Sequence, residues 1–294
     1  MKVRIMEISK LSKSITPSGT MAISNKARVL REEGKPVIGF GAGEPDFPTP
    51  EYVIKDVQVA AEDPANHKYS AVAGLNVLKD EIVRTSKLYS GIEVDQENIV
   101  VSNGGKHAIL TTFMSLLNPG DEVLIPSPYW TTYPEAVKIS GGNPIIVDTE
   151  FDDDFKINID QLEALKTNKT KILVWVSPSN PTGVVYTKEE AEKIYNWAFD
   201  NDIWILSDEL YEHLVYEGVT SPSPAQYDKT LKKTIVINGV AKAYSMTGWR
   251  VGWIIANTEV IDMAKKIQSH ATSNVSNLSQ IAAYSALKNG LNET

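Results

Sequence analysis

The chain has 294 residues, of which 42% are hydrophobic and 22% are charged, and its formal net charge is −8. This composition excludes a disordered or fibrous chain, and the acidic balance argues against a nucleic-acid-binding surface. The absence of cysteine excludes disulfides, thiolate metal sites and a cysteine nucleophile. No run reaches the ~20 apolar residues of a membrane span, and no signal-peptide pattern follows the basic N-terminus. The expected location is the cytoplasm.

From residue 99 onward, short runs rich in β-branched residues alternate with helical patterns such as Lys106–Leu117 and Lys188–Asp200. Strands that are apolar on both faces and are separated by helices are typical of a parallel sheet covered on both sides. The sequence therefore predicts an α/β fold with a mostly parallel seven-stranded sheet and helices on both faces. The predicted strands are Ile99–Ser102, Glu122–Ile125, Pro144–Val147, Lys171–Val176, Ile203–Leu206, Thr234–Ile237 and Val251–Ile255.

The two ends of the chain do not follow this alternation. We expect residues 1–45 to form an N-terminal arm and part of a small domain, and residues 46–280 to form the large domain. Residues 281–294 are expected to begin a helix that leads to the small domain. A helical pattern runs almost to residue 294 without a stop signal, so the rest of the small domain is expected to be absent.

In open α/β sheets, ligands bind outside the carboxyl ends of the strands. The first predicted strand ends at Asn103-Gly-Gly-Lys106, where two glycines open a helix. The free N–H groups and the dipole of a helix N-terminus suit a phosphate, although a plain strand-to-helix turn has the same sequence. The Ser or Thr that would follow the lysine of a Walker loop is missing.

Two strand ends carry charged groups that are costly to bury. Asp208 follows four apolar residues, so it either caps a helix or is buried and needs a cationic partner. Lys242 follows the sixth strand, where desolvation would lower its pKa from ~10.4 and favour the neutral amine that forms Schiff bases; a solvated loop lysine is the alternative. Arg250 offers a planar fork for a phosphate or carboxylate, or a surface ion pair.

The remaining strand ends supply an aromatic ring, an amide and a phenol. Trp130 packs in the core or forms a platform for a planar ring, Asn180 is an amide in a proline-flanked turn, and Tyr211 adds a phenol. The four histidines show no metal-ligand spacing, so no metal is expected. A phosphate cradle, a ring platform, a buried carboxylate and an aldehyde-binding amine are together what pyridoxal 5′-phosphate requires.

Seven segments, in order over nearly the whole chain, resemble fold-type I pyridoxal-phosphate-dependent aminotransferases of the class I/II group. The resemblance is closest to bacterial aspartate aminotransferases. Each segment is moderately specific, and the set is very specific. The segments are Gly43–Pro50, Lys68–Leu75, Ser102–Ala108, Ser127–Trp130, Ser179–Gly183, Ser207–Glu209 and Val240–Gly252.

The resemblance implies a role for each residue at the strand ends. Lys242 would bind the cofactor as a Schiff base and then act as general acid and base, with Asp208 paired to the pyridinium nitrogen. Asn180 and Tyr211 would contact the ring 3-oxygen, and Trp130 would stack on the ring. The phosphate would be held at the helix N-terminus and by residues that surround it. These phosphate-binding residues are Gly104, Gly105, Lys106, Arg250 and Tyr69 of the neighbouring subunit.

The resemblance also implies a homodimer with two shared sites and substrate contacts from Gly43, Trp130 and Asn180. Two departures from the family are visible. Gly239 and Ala241 replace serines that some relatives have near the lysine. In the family, an arginine that binds the substrate carboxylate lies beyond the position that corresponds to residue 294.

The sequence thus predicts an enzyme of amino-acid metabolism that moves an amino group from an L-amino acid, with aspartate favoured, to 2-oxoglutarate by a ping-pong mechanism. The alternatives are an aromatic, alanine or kynurenine aminotransferase, whose side-chain pocket the sequence does not reveal. A non-catalytic cofactor-binding module or an inactive truncated fragment is the alternative outside enzymes. Neither nucleic acid nor a membrane is an expected partner.

Overall fold

A computed structural model describes residues 7–292 and 294 of the chain; residues 1–6 of the predicted arm lie outside this range. Seven strands form one sheet in the order β1-β7-β6-β5-β4-β2-β3. All neighbouring strands are parallel except that β7 is antiparallel to β1 and β6. The predicted α/β class and mostly parallel sheet are confirmed. The strands are β1 (Ile99–Ser102), β2 (Glu122–Pro126), β3 (Asn143–Val147), β4 (Thr170–Val176), β5 (Trp204–Asp208), β6 (Thr234–Gly239) and β7 (Gly252–Ile255).

Ten α-helices accompany the sheet within the described residues. The two helices that the sequence predicts agree with α5 and α8 to within one residue at each end. No helix in residues 7–292 is both long enough and apolar enough to cross a membrane. The helices are α1 (Lys10–Ser14), α2 (Gly19–Glu32), α3 (Glu51–Ala60), α4 (Asn76–Thr85), α5 (Gly105–Leu116), α6 (Thr132–Ile139), α7 (Ile159–Leu165), α8 (Lys188–Asp200), α9 (Thr258–Ala271) and α10 (Asn277–Asn289).

Helices cover both faces of the sheet because its central strands are apolar on both sides. In β4, Ile172 and Val174 pack with α5, α6 and α9, whereas Leu173 and Trp175 point to the opposite face and pack with α7 and α8. Helices α3, α4 and α10 cover that opposite face over β1, β6 and β7. This two-sided burial explains why the strands read as continuous apolar runs rather than as alternating ones.

The N-terminal helices differ from the rest of the fold. Neither α1 nor α2 contains a buried residue, whereas α10 buries seven residues and packs against α3 and α4. The division into an arm, a large domain and a small domain remains a prediction.

The sheet brings three strand ends to one place. Asp208, the last residue of β5, lies beside Val176 of β4 and Ile237 of β6. On the other side of β6, Gly252 pairs with Gly239, and a Cβ on Gly252 would lie 2.7 Å from the backbone nitrogen of Gly105. Because no side chain fits there, the start of α5 can approach β7 closely. The ends of β4, β5 and β6 therefore lie next to the N-terminus of α5.

Candidate functional site

Lys242 lies in the loop that follows β6, and its side chain reaches across to the Gly/Pro-rich loop near the N-terminus. Its Nζ donates a hydrogen bond of 2.6 Å to the carbonyl oxygen of Gly43 and lies 5.4 Å from the centre of the Tyr211 ring. Burial lowers the pKa of Lys242; Arg250 lowers it further, while Glu44 and Asp208 oppose the shift. The structure thus places the amine of Lys242, whose pKa is lowered, beside the phenol ring of Tyr211.

Asp208 is 4% exposed, and both of its carboxylate oxygens are hydrogen-bonded. The phenol of Tyr133 donates to Oδ2 at 2.6 Å, and the backbone N–H of Leu210 donates to Oδ1 at 3.2 Å. Burial raises the pKa of Asp208, and these two bonds together with the charge of Lys242 oppose that shift. A buried carboxylate with donors on both oxygens is suited to facing a cationic group of a ligand.

The N-terminus of α5 and Arg250 form a positively charged cradle. Gly104 caps the helix with φ of 80°, and the first N–H groups of the helix, on Gly105 and Lys106, have no partner within it. A Cβ on Gly104 would lie 2.6 Å from Nη2 of Arg250, so the cradle is open only because residue 104 is glycine. Burial and the neighbouring Arg250 lower the pKa of Lys106. These groups are suited to binding a phosphate, whereas a turn that only connects a strand to a helix would not need them.

Trp130 lies between the cradle and Asp208. Its ring meets Tyr133 edge to face with centroids 5.7 Å apart, and Nζ of Lys106 lies 5.0 Å from its centre. The side chain is half-buried, so the ring is neither fully in the core nor free in solvent. Asn180 is half-buried as well, and with Tyr129 it lines a small cavity beside Tyr133.

An open cleft of about 870 Å³ lies in front of Lys242. The loop of residues 43–52, the segment of residues 211–216 and the segment of residues 242–245 line it. Tyr69, the remaining predicted residue, is 89% exposed and is not part of this cleft. Of the predicted residues, Gly43, Tyr211 and Lys242 line this cleft, Asn180 lines the separate small cavity beside Tyr133, and Tyr69 points into solvent.

Sequence reasoning missed Tyr133, which hydrogen-bonds Asp208. The sequence held one usable signal, because Tyr133 follows Trp130 by three residues at the start of α6. Side chains three apart lie on the same side of a helical turn. From the sequence, Asp208 either caps a helix or is buried beside a cationic partner; in the structure it is buried, the phenol of Tyr133 donates its short hydrogen bond, and Lys242 contributes through its charge.

Comparisons with known proteins agree with this geometry. The family model for aminotransferase class I and II matches residues 35–293. An aspartate aminotransferase from Streptomyces avermitilis is 49% identical over 279 residues, which cover 95% of this chain and 68% of that protein. The chain belongs to the class I and II aminotransferases. An aspartate aminotransferase from Bacillus subtilis is 44% identical over 292 residues, which cover 98% of this aminotransferase and 74% of that protein.

Solved aminotransferase structures share the fold over nearly the whole chain. The aspartate aminotransferase from Thermus thermophilus with maleate superposes with a TM-score of 0.93 at 37% identity and covers 97% of this chain and 74% of that one. The enzyme from Rhizobium meliloti superposes with a TM-score of 0.92 at 36% identity. This aminotransferase therefore spans about seven tenths of the length of these relatives.

The cofactor of this aminotransferase family is pyridoxal 5′-phosphate, and the residues of the candidate site fit it. The cradle at Gly104 would be filled by a Cβ, Asp208 is a buried carboxylate, and Lys242 is an amine with a lowered pKa. A phosphate, a ring nitrogen and an aldehyde require these three kinds of group.

A second buried carboxyl, that of Glu209, follows Asp208 and is 3% exposed. The hydroxyls of Ser207 and Ser223 donate to its Oε1 at 2.7 and 2.6 Å. Burial first, and then the charge of Glu212, raise the pKa of Glu209 to about 8. Because the folded state holds this proton more tightly, the stability contributed by Glu209 is complete below its unfolded pKa and is lost as the pH rises through about 8.

The Glu209→Gln variant should remove this pH dependence, because an amide keeps the acceptor oxygen and does not ionise. Between pH 5 and 8.5, we expect the Tm of the wild-type protein to fall relative to that of the variant by roughly 5 °C. Thermal unfolding of both proteins, freed of cofactor and measured across this range, gives the result. If the Tm of the two proteins changes with pH in parallel, Glu209 does not titrate in the folded protein.

Proposed function

We propose that this aminotransferase transfers the amino group of L-aspartate to 2-oxoglutarate in a ping-pong cycle. The observation that carries the proposal is the position of Lys242, whose amine lies between Gly43 and the Tyr211 ring and has a lowered pKa. The choice of aspartate is supported by relatives at 49%, 45% and 44% identity that are named aspartate aminotransferases.

Lys242 is the residue that we assign to covalent and acid–base chemistry. When bound, pyridoxal 5′-phosphate supplies an aldehyde and a ring that accepts electrons. Nζ of Lys242 would hold the cofactor through that aldehyde, and as a free amine it would take the proton from the α-carbon of the amino acid. Because burial lowers the pKa of Lys242, a larger fraction of the amine is free of its proton near neutral pH.

Asp208 and its neighbours would orient the ring. The carboxylate would face the ring nitrogen and stabilise its positive charge, while Tyr133 and the N–H of Leu210 hold the carboxylate in place. Trp130 would pack against the ring, and Asn180 and Tyr211 would donate to its 3-oxygen. Burial and the charge of Asp208 raise the pKa of Tyr211, so its phenol keeps the proton that it donates.

The α5 cradle would hold the phosphate. Gly104 leaves space for the phosphate, the N–H groups of Gly105 and Lys106 would donate hydrogen bonds to it, and Arg250 would supply a positive charge. Arg250 is itself fixed, since it donates a bond of 2.8 Å to the carbonyl of Thr247. The backbone of Gly43, together with Trp130 and Asn180, would contact the substrate.

We assign Tyr69 to the phosphate of a neighbouring subunit in a homodimer with two shared sites. The support is its 89% exposure, which leaves the phenol available to a second copy. Analytical ultracentrifugation should give twice the chain mass, and a monomer with full activity would contradict the shared site.

We also propose that the enzyme acts in the cytoplasm, which cell fractionation tests.

Replacing Tyr133 with phenylalanine should weaken catalysis without unfolding the protein. The change removes one donor from the Asp208 carboxylate, and a hydrogen bond to a charged group contributes about 1.5–3 kcal/mol. We expect kcat/KM with aspartate to fall about tenfold or more. The control is Tyr195→Phe, which alters a largely buried tyrosine of α8 away from the cleft. Equal activity of both variants would show that the phenol does not act on Asp208.

A single-turnover panel of amino acids tests the proposed function. The cofactor-loaded protein is mixed with each L-amino acid, and conversion of the cofactor to its amine form is followed by absorbance. We expect aspartate to convert it fastest, and 2-oxoglutarate to reverse the conversion. Faster conversion by an aromatic amino acid, alanine or kynurenine would reassign the substrate. No conversion by any amino acid would contradict the proposed activity.

A further inference from the structure

A carboxylate behind the cleft, that of Glu212, has no part in the proposed reaction. Nδ2 of Asn238 donates to its Oε1 at 2.6 Å, and the hydroxyl of Ser90 donates to its Oε2 at 2.8 Å. Nε2 of His213 lies 3.3 Å from Oε1, and the charge of Glu212 acts on Glu209. Both carboxylate oxygens of Glu212 therefore accept hydrogen bonds from identified side chains.

The contact between Glu212 and Asn238 joins two segments that carry residues of the site. Tyr211 precedes Glu212 in a turn that is closed by the bond from the N–H of Glu212 to the carbonyl of Glu209 at 3.0 Å. Asn238 lies near the end of β6, four residues before Lys242. Its Oδ1 accepts from the N–H of Gly239 at 2.7 Å. The side chain of Asn238 thus binds the turn through its amide nitrogen and the last backbone N–H of β6, just before the Lys242 loop, through its amide oxygen.

The two segments meet again on the side of the cleft, where Nζ of Lys242 lies 5.4 Å from the centre of the Tyr211 ring. Resting on the proposed function for the roles of Lys242 and Tyr211, we propose that Glu212 and Asn238 are positioning residues that fix the separation of these two side chains. A charge-assisted bond in a half-buried place is suited to this task, because it is short and directional.

Weakening this contact should release the loop and expose more of the Lys242 side chain to water. Burial is the main cause of the lowered pKa of that amine, so better solvation should move the pKa back toward that of a surface lysine. Proton removal also depends on alignment, and a small displacement of a catalytic group slows the chemical step more than it weakens substrate binding.

Three variants separate positioning from a general loss of stability. Glu212→Gln removes the charge from this contact: the amide oxygen can still accept from Asn238 and the amide nitrogen can donate to the hydroxyl of Ser90, but the bond to Asn238 becomes a weaker, neutral one. The double variant Glu212→Gln with Asn238→Asp exchanges amide and carboxylate, so that every hydrogen bond can form with the donor reversed. Ser90→Ala removes the other bond to the same carboxylate and leaves the contact with Asn238 in place.

The first measurement uses the full chain freed of cofactor. Competitive acetylation over a pH series, with quantification of the peptide that contains Lys242, gives the pKa of this amine without requiring activity. We expect it to rise in Glu212→Gln, to return to the wild-type value in the double variant and to stay unchanged in Ser90→Ala. An unchanged pKa in Glu212→Gln, or a double variant that does not return toward wild type, would overturn the proposal.

The second measurement uses the cofactor-loaded proteins with aspartate and 2-oxoglutarate. We expect kcat to fall ~10-fold in Glu212→Gln with KM within ~2-fold of wild type, and to recover in the double variant. A fall of the same size in Ser90→Ala would show that any loss of a bond to Glu212 has this effect, and would overturn the role of Asn238. If wild type itself converts no amino acid, the proposed function fails, whereas the acetylation result still decides whether the contact positions Lys242.

Discussion

Replacing Lys242 with alanine is expected to lower kcat about 10⁴-fold, the upper end of the range for one acid–base group. The loss is large because the same amine binds the cofactor covalently and moves the substrate proton. Lys106 is not placed to replace it, since its Nζ lies over the Trp130 ring on the side of the α5 cradle. Steady-state assays with aspartate and 2-oxoglutarate, together with the visible spectrum of the loaded protein, measure the effect.

Two control variants show whether the loss belongs to Lys242. Lys242→Arg keeps a positive charge but cannot lose its proton, so it should be as inactive as the alanine variant. Lys87→Ala removes a lysine that is 69% exposed and paired with Glu93 at the surface, and its kcat should equal that of wild type. Activity of Lys242→Ala within tenfold of wild type would exclude the covalent and acid–base roles.

Replacing Asp208 with asparagine is expected to lower kcat/KM by about 10² to 10³, as does the loss of a single electrostatic stabiliser in other active sites. Asparagine has nearly the same shape but no charge, so it cannot stabilise a protonated ring nitrogen. Glu209→Gln is the matched control, because it also turns a buried carboxyl of the same segment into an amide. That control should keep its kcat within a few-fold of wild type.

The stability of Asp208→Asn distinguishes loss of chemistry from unfolding. Because burial raises the pKa of Asp208, its contribution to stability is complete below the unfolded pKa and is lost as the pH rises through the folded pKa. Above its folded pKa, the cofactor-free wild type contains a carboxylate whose burial is unfavourable. At such a pH the variant should have a Tm at least as high as that of wild type, while its kcat/KM is lower as stated above. A lower Tm together with lower activity would point to structural damage.

The elements of the fold were predictable where their sequences are continuous and apolar. Each predicted strand agrees with the structure to within two residues, because burial on both faces leaves no polar interruption before the strand ends. The helix α8 was predictable at both ends, and its start is fixed by a capping box between Thr187 and Glu190.

The contacts of the candidate site were less predictable because they join distant parts of the chain. The bond between Lys242 and the carbonyl of Gly43 spans 199 positions, and the bond between Tyr133 and Asp208 spans 75 positions. The residue types at the strand ends indicated which chemistry to expect. The partner of Lys242 could not be predicted, because it is the backbone carbonyl oxygen of Gly43 and every residue has such an oxygen. Tyr69 illustrates the same difficulty, since a residue that would serve another subunit has no contact in its own chain that could reveal it.

The most direct test of the central claim identifies the amine that holds the cofactor. The protein is loaded with pyridoxal 5′-phosphate, reduced with borohydride, digested and analysed by mass spectrometry. We predict that the cofactor-derived mass lies on the peptide that contains Lys242. Attachment at Lys106 or another lysine, or no attachment at all, would contradict the assignment.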